Sequence, residues 1–213
     1  SAAVAKAAIK SGVARKSITD WSAYKDHLRQ LLGQETKLTR TLHATAALHP
    51  QRVVFAEGGH PTMMKAAVQA LQEGICTPVL LGNVDRLNRL AKRLKLDLTG
   101  VEIVDMRADK EQRRRATYAK HLAEKRARQG VTFEEAYDKM YERNYFGMSM
   151  VEQGDADTFI TGLYTKYSNT IKVAKEVIGV RDGYSTFATM HILNTKTVSY
   201  THLRAHETDS YLV

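Results

Sequence analysis

RVVFAEGGHPTMMKAAVQALQEGICTPVLLGN, residues 52–83, decides the fold, because two short apolar runs stand here on either side of a helical pattern. The first run, Arg52 to Ala56, predicts a strand that ends at Glu57-Gly58-Gly59. From 61 to 73 the apolar residues Met64, Ala67, Val68 and Leu71 fall at helical spacing, and Pro78 to Leu81 predicts the second strand. A run of strand, helix and strand this short fits a parallel pair covered by its crossover helix.

The pattern repeats downstream. Leu87, Leu90, Ala91 and Leu94 predict a helix over 84–95, and Val101 to Val104 a third strand. Helices follow at 109–129, 133–142 and 145–153, the second with Thr132 and Glu135 at capping-box spacing. Residues 157–161 predict a fourth strand ending at Gly162, and a helix runs from about 168 to 178. Strands that are apolar throughout and separated by helices predict an α/β fold of three layers, αβα, around a mostly parallel sheet.

Upstream, Val4, Ala8 and Ile9 read as the end of a helix within 1–16 that Gly12 stops. Thr19 or Asp20 caps a second helix with Trp21, Tyr24, Leu28, Leu31 and Leu32 on one side and Gly33 after it. The segment 34–49 lacks a clear period and reads as a connector leading to Pro50. Internal repeats and low-complexity tracts are absent from the sequence.

Composition narrows the class of protein. With 213 residues, 43% of them hydrophobic, the chain has the material for a buried core. No run approaches the roughly 18 to 20 apolar residues of a membrane span, and the N-terminus has no signal-sequence pattern, so a cytoplasmic location is expected. A lone cysteine, Cys76, reads as a small core residue rather than a nucleophile. The formal charge of +9 points to a polyanionic partner, with much of the excess in 110–128. There Lys110, Arg113, Arg114, Arg115, Lys120, Lys125, Arg126 and Arg128 read chiefly as a solvated helix face. Only Tyr118 interleaves with them, which is thin for stacking on bases, so a nucleic-acid-binding module is the weakest of the functional readings.

In parallel α/β sheets ligands bind beyond the carboxyl ends of the strands. Two loops fall there. In GLYTKYSNTIK, 162–172, Thr165, Ser168, Asn169 and Thr170 are hydrogen-bond donors at a helix start, and Lys166 and Lys172 add charge, a composition suited to phosphate. The plainer reading is that Ser168 caps the helix and the lysines stay in water. The loop FAEGGHP, 55–61, carries Glu57 and His60 but lacks metal-site spacing, a dinucleotide fingerprint or a P-loop, and it is assigned no metal. The histidines at 27, 43, 49, 121, 191, 202 and 206 are scattered and assigned no chemistry, and Met140, Met148 and Met150 read as core.

Taken in order, FAEGGHP, PVLLGN, EKRARQGVT at 124–132, NYFGMSMVEQGDAD at 144–157 and GLYTKYSNTIK resemble the phosphate acetyltransferase family, in particular the form fused behind a malic enzyme. The resemblance covers about 50–196, and residues 2–33 resemble the last helices and linker of a malic-enzyme nucleotide domain. It implies four segments: 1–49 as that end and linker, 50–180 as domain I, 181–196 as the start of domain II, and 197–213 as a foreign-looking tail. It also implies a cleft for a CoA ester or an acyl phosphate, with Arg126, Thr165, Ser168, Asn169 and Thr170 on its binding surface. Lys172 stands where active members carry arginine, and a lysine lacks the bidentate fork that arginine offers phosphate.

The family's catalytic Asp and Ser-Arg pair find no counterpart in the sequence, so no catalytic residue is assigned and the chain reads as an inactive, marginally folded fragment with exposed apolar edges. The expected role is an acetyl-CoA-responsive regulatory and oligomerisation domain. Malate oxidation to pyruvate, with NADP and a divalent Mg or Mn ion, would belong to another domain of the parent. Acyl transfer between CoA and phosphate is the alternative.

Overall fold

The computed structural model describes residues 2–14, 18, 20, 21, 24, 37–181, 183–194 and 199–205. The chain divides into two units, residues 46–185 and residues 1–45 with 186–213.

The larger unit holds a four-stranded parallel sheet: β1 (Gln51–Phe55), β2 (Cys76–Leu81), β3 (Glu102–Val104) and β4 (Thr158–Ile160), in the order β3-β2-β1-β4. From β1 the chain steps outward to β2 and β3, then returns to the other side of β1 as β4. The connections are helical. We label the helices in chain order α1 (Ala2–Lys10), α2 (Lys37–Leu48), α3 (Pro61–Gln72), α4 (Val84–Leu94), α5 (Gln112–Arg126), α6 (Phe133–Lys139), α7 (Arg143–Glu152) and α8 (Tyr167–Val177). Short 3-10 turns, Asp109–Glu111 and Ala127–Gln129, flank α5, so the expected helix at 109–129 is a composite.

Strand periodicity of two sorts the apolar residues onto two faces. Val53, Phe55 and Leu80 pack with Met63, Met64 and Ala67 of α3 and Leu87, Leu90 and Ala91 of α4. Val54, Val79, Leu81 and Val104 pack on the other face with Tyr118 and Leu122 of α5, Phe146 and Met150 of α7, and Val173 and Val177 of α8. Both faces being covered, the unit is the three-layer arrangement expected from the sequence. Gly147 lets α7 lie against the sheet, since a Cβ there would collide with the Phe159 ring and sit 3.1 Å from Leu81 Cδ1. The Thr132–Glu135 capping box starts α6 as the spacing predicts. Cys76 is buried, and burial pushes its thiol pKa up, as suits a core residue rather than a nucleophile.

Two expectations change. The segment 34–49, expected as a connector, contains α2; in KLTRTLHATAAL the alanines, leucines and basic residues favour helix while interspersed threonines hide the period. β2 starts at Cys76 rather than Pro78. Pro78 pairs with Val53 of β1 and precedes the first β2–β3 pair, Val79 with Glu102, so its missing N–H breaks no rung of that second ladder.

In the smaller unit α1 ends with Gly12 in the left-handed region, φ +74°, as the sequence predicts. The helix expected over 21–32 lies mostly outside the described residues; Trp21 and Tyr24 are helical, and Lys6 Nζ lies 5.2 Å from the Trp21 ring centroid. Two strands, β5 (Ala188–Asn194) and β6 (Ser199–Ala205), pair antiparallel, His191 opposite His202.

Candidate functional site

A cavity of about 740 Å³ opens at the carboxyl ends of the four parallel strands. Its wall is made by Ala56 and Glu57 after β1, Gly82 and Asn83 after β2, Asp105 to Arg107 after β3, Tyr164 and Thr165 after β4, and residues 141–144 entering α7. Strand order reverses between β1 and β4, so the site occupies the topological switch point of the sheet.

Glu57 ties that switch point together. It is 1% exposed, and its Oε1 accepts from Thr161 Oγ1 at 3.1 Å, Gly162 N at 3.2 Å and Tyr164 N at 3.5 Å. The Thr161 hydroxyl also lies 3.2 Å from Oδ1 of buried Asn144, so its one proton serves either acceptor. Oε2 of Glu57 is buried with no partner, a state costing roughly 1–3 kcal/mol. Gly58 explains how the loop passes so close to β2: a Cβ there would meet Leu81 O at 2.9 Å. His60 is a helix cap, its Nδ1 accepting from Thr62 N at 3.2 Å.

A second network fixes the loops after β2 and β3. Asn83 caps α4 by accepting from Arg86 N at 3.1 Å, and its Nδ2 donates to Asp105 Oδ2 at 3.0 Å. The other Asp105 oxygen accepts from Arg107 N at 3.1 Å. Beneath them Arg115, 3% exposed, donates from one terminal nitrogen to Met106 O at 2.6 Å and Ala108 O at 2.9 Å, and stacks 4.7 Å from the Tyr141 ring centroid.

The residues expected at the site divide. Thr165 and Asn169 line the cavity. Ser168 is exposed and does not cap α8, which starts after Lys166 with no side-chain cap; Thr170 Oγ1 is buried with no partner. Lys172 is solvent-exposed, 4.0 Å from Glu176 Oε1. Arg126 is at the far end of α8, where Nε donates to Glu176 O at 2.7 Å and a terminal nitrogen to Lys175 O. Neighbouring Lys125 donates to Val177 O at 2.7 Å and Ile178 O at 2.8 Å and pairs with Glu152. Both cations therefore serve the carbonyl end of α8, where the helix dipole favours positive charge. With Arg115 buried as well, the run 110–128 is less of a solvated face than its composition suggests.

Cavity residues not expected from the sequence are Asn83, Arg86, Asp105, Arg107, Arg143 and Asn144. Their signal is position, directly after the second and third strands and at a helix start, whereas the two loops expected from the sequence follow the first and fourth strands. Among the described residues no group of three metal-ligating side chains occurs, and no helix is long and apolar enough to cross a membrane.

Comparison with known proteins adds a second line. The family model for phosphate acetyl/butaryl transferase matches residues 37–210. An NADP-dependent malic enzyme of Rhizobium meliloti is 34% identical over 185 residues, 85% of this chain and 24% of that protein. A phosphate acetyltransferase of Salmonella typhimurium is 33% identical over 144 residues, 67% of this chain and 20% of that protein. The chain thus spans about a quarter or less of the length of these two relatives. Among solved structures, the EutD phosphotransacetylase from Staphylococcus aureus superposes with a TM-score of 0.65 at 24% identity, over 76% of this chain and 48% of that one.

Proposed function

Because the chain belongs to the phosphate acetyl/butaryl transferase family, we propose that its strand-end cavity binds a CoA ester or an acyl phosphate, and that in a malic-enzyme parent it acts as an acetyl-CoA-responsive regulatory and assembly domain. The observation that carries this reading is the placement of Thr165 and Asn169 in a cavity at the switch point of the sheet. There their side chains and the start of α8 present hydrogen-bond donors to an anion. The loop holding Thr165 is fixed from below by Glu57, which keeps those donors in place before a ligand arrives.

The malic-enzyme parent is supported by coverage, since the match to that relative takes in more of the chain than the match to the acetyltransferase. Oxidative decarboxylation of malate, with NADP and a divalent ion, is then the activity of the parent's other domain, and no residue described here is assigned to it. Acetyl transfer from CoA to phosphate is the second reading, supported by the names of the acetyltransferase relatives. In that case the cavity residues would hold the phosphate and orient it toward the thioester.

Titration calorimetry of the 213-residue chain with acetyl-CoA and acetyl phosphate tests the binding reading. Saturable acetyl-CoA binding weakened by Asn169→Ala is expected; absence of binding overturns it. Acetyl phosphate formation by a full-length parent would replace the regulatory reading with the transferase one.

A further inference from the structure

We propose that Arg86, Arg107 and Arg143 form the cationic subsite of this cavity and that they receive a diphosphate group, a ligand class with more than one adjacent phosphate. The inference rests on the reading of the cavity as a site for a phosphorylated acyl carrier, and it moves the anion-binding charge away from Arg126 and Lys172.

Three separate connections deliver these arginines: the first turn of α4, the loop after β3 and the first residue of α7. All three line the one cavity, and none enters an ion pair among the described residues. Exposed guanidinium groups that line one cavity without carboxylate partners raise its positive potential, which a bound polyanion would meet.

Among the described residues, none of the carboxylates in the same wall forms an ion pair with them. Asp105 has both oxygens engaged, one by the Asn83 amide and one by the Arg107 backbone N–H. Glu57 turns Oε1 to the 161–164 loop and is sequestered from solvent. Glu142 is exposed beside Arg143.

The backbone beneath the arginines is organised as one unit. Asn83 accepts from Arg86 N and donates to Asp105, which in turn accepts from Arg107 N, so two of the three arginines spring from a single hydrogen-bonded bracket. Arg143 stands over the Tyr164 ring, 5.9 Å from its centroid. The N-termini of α4, α7 and α8, each of ten residues or more, begin at the same wall and add their positive ends. A cavity of about 740 Å³ has room for more than one phosphate, and three forked donors from separate connections can divide between two, so a diphosphate is the fitting class.

The test uses the full chain, with inorganic pyrophosphate and acetyl-CoA titrated separately at low and moderate salt. Arg86→Gln, Arg107→Gln and Arg143→Gln are each expected to weaken pyrophosphate binding by about tenfold, and the triple variant to abolish it. Lys92→Gln, an equal charge change in the last turn of α4, is expected to leave it within about twofold, as for a remote screened charge. A triple Arg→Lys variant, keeping charge but losing the forks, should fall between wild type and triple glutamine. Thermal melts matched to wild type establish that the variants fold. Pyrophosphate binding that depends on the trio, without any acetyl-CoA binding, would support the subsite and overturn the CoA reading. Acetyl-CoA binding indifferent to the triple variant would overturn the subsite and leave the CoA reading standing, and a wild-type chain that ignores pyrophosphate would overturn the subsite too.

Discussion

Two sets of cations make an instructive contrast: the dense basic run at 110–128 and the three arginines at 86, 107 and 143. The run dominates the sequence, yet its inward members are consumed by the fold. Arg115 is buried against the carbonyls of Met106 and Ala108, and Lys125 and Arg126 close the end of α8. The dispersed arginines attract no notice in the sequence, being separated by tens of residues, but the parallel topology returns each to the same edge of the sheet. Clustering along a helix places charge near backbone carbonyls and helix ends, where it is used structurally. Clustering at strand ends, produced by the fold, leaves charge free for a ligand.

The contrast breaks most visibly at Arg115. Arg115→Met removes the donor to two carbonyls and the cation from the Tyr141 ring, for an expected loss of about 3 kcal/mol. For a chain of this size that is a fall of roughly 6–12 °C in melting temperature. A variant melting within about a degree of wild type would mean that the run is solvated after all.

How far the sequence was legible follows the same division. The strands were readable because VVF and VLL are buried on both faces, and the helices that cover them because their apolar stripes are strong. Helix α2 escaped because alanine and threonine give no contrast between faces. At the site, Thr165 and Asn169 were readable from one loop. Glu57 was visible but its role was not, since its partners lie 104 to 107 positions away and nothing local marks a carboxylate as a loop clamp. The arginines required the strand order, which short-range patterns do not contain.

A smaller effect sharpens the comparison at Arg126. Arg126→Ala should cost about 1 kcal/mol by uncapping α8, read as a lower urea midpoint. Should it instead weaken pyrophosphate binding more than Arg107→Gln does, Arg126 returns to the phosphate-binding role that the family resemblance implies, and the separation between structural and ligand-facing cations collapses.

The smallest effect concerns Glu176, which joins α6 and α7 to α8 by accepting from Tyr145 Oη at 2.6 Å and Lys139 Nζ at 3.2 Å. Burial works against its charge, but the hydrogen bonds from Tyr145 and Lys139 outweigh it, so its pKa lies below the ordinary 4.5. A depressed carboxyl pKa contributes stability that is complete above the unfolded value and is lost as pH falls through the folded one. Tyr145 has the opposite sign: burial and its bond to Glu176 raise its pKa, so its contribution is complete below the ordinary 10 and declines only in more alkaline solution. Glu176→Gln should therefore lower stability by under about 1 kcal/mol near neutrality, and the gap from wild type should close in acid, as the pH falls below the ordinary 4.5 and through the depressed folded-state value. A gap that persists unchanged into strong acid would show that shape rather than charge holds this junction, and that Lys139 is placed by packing, unlike the hydrogen-bonded cations of the run.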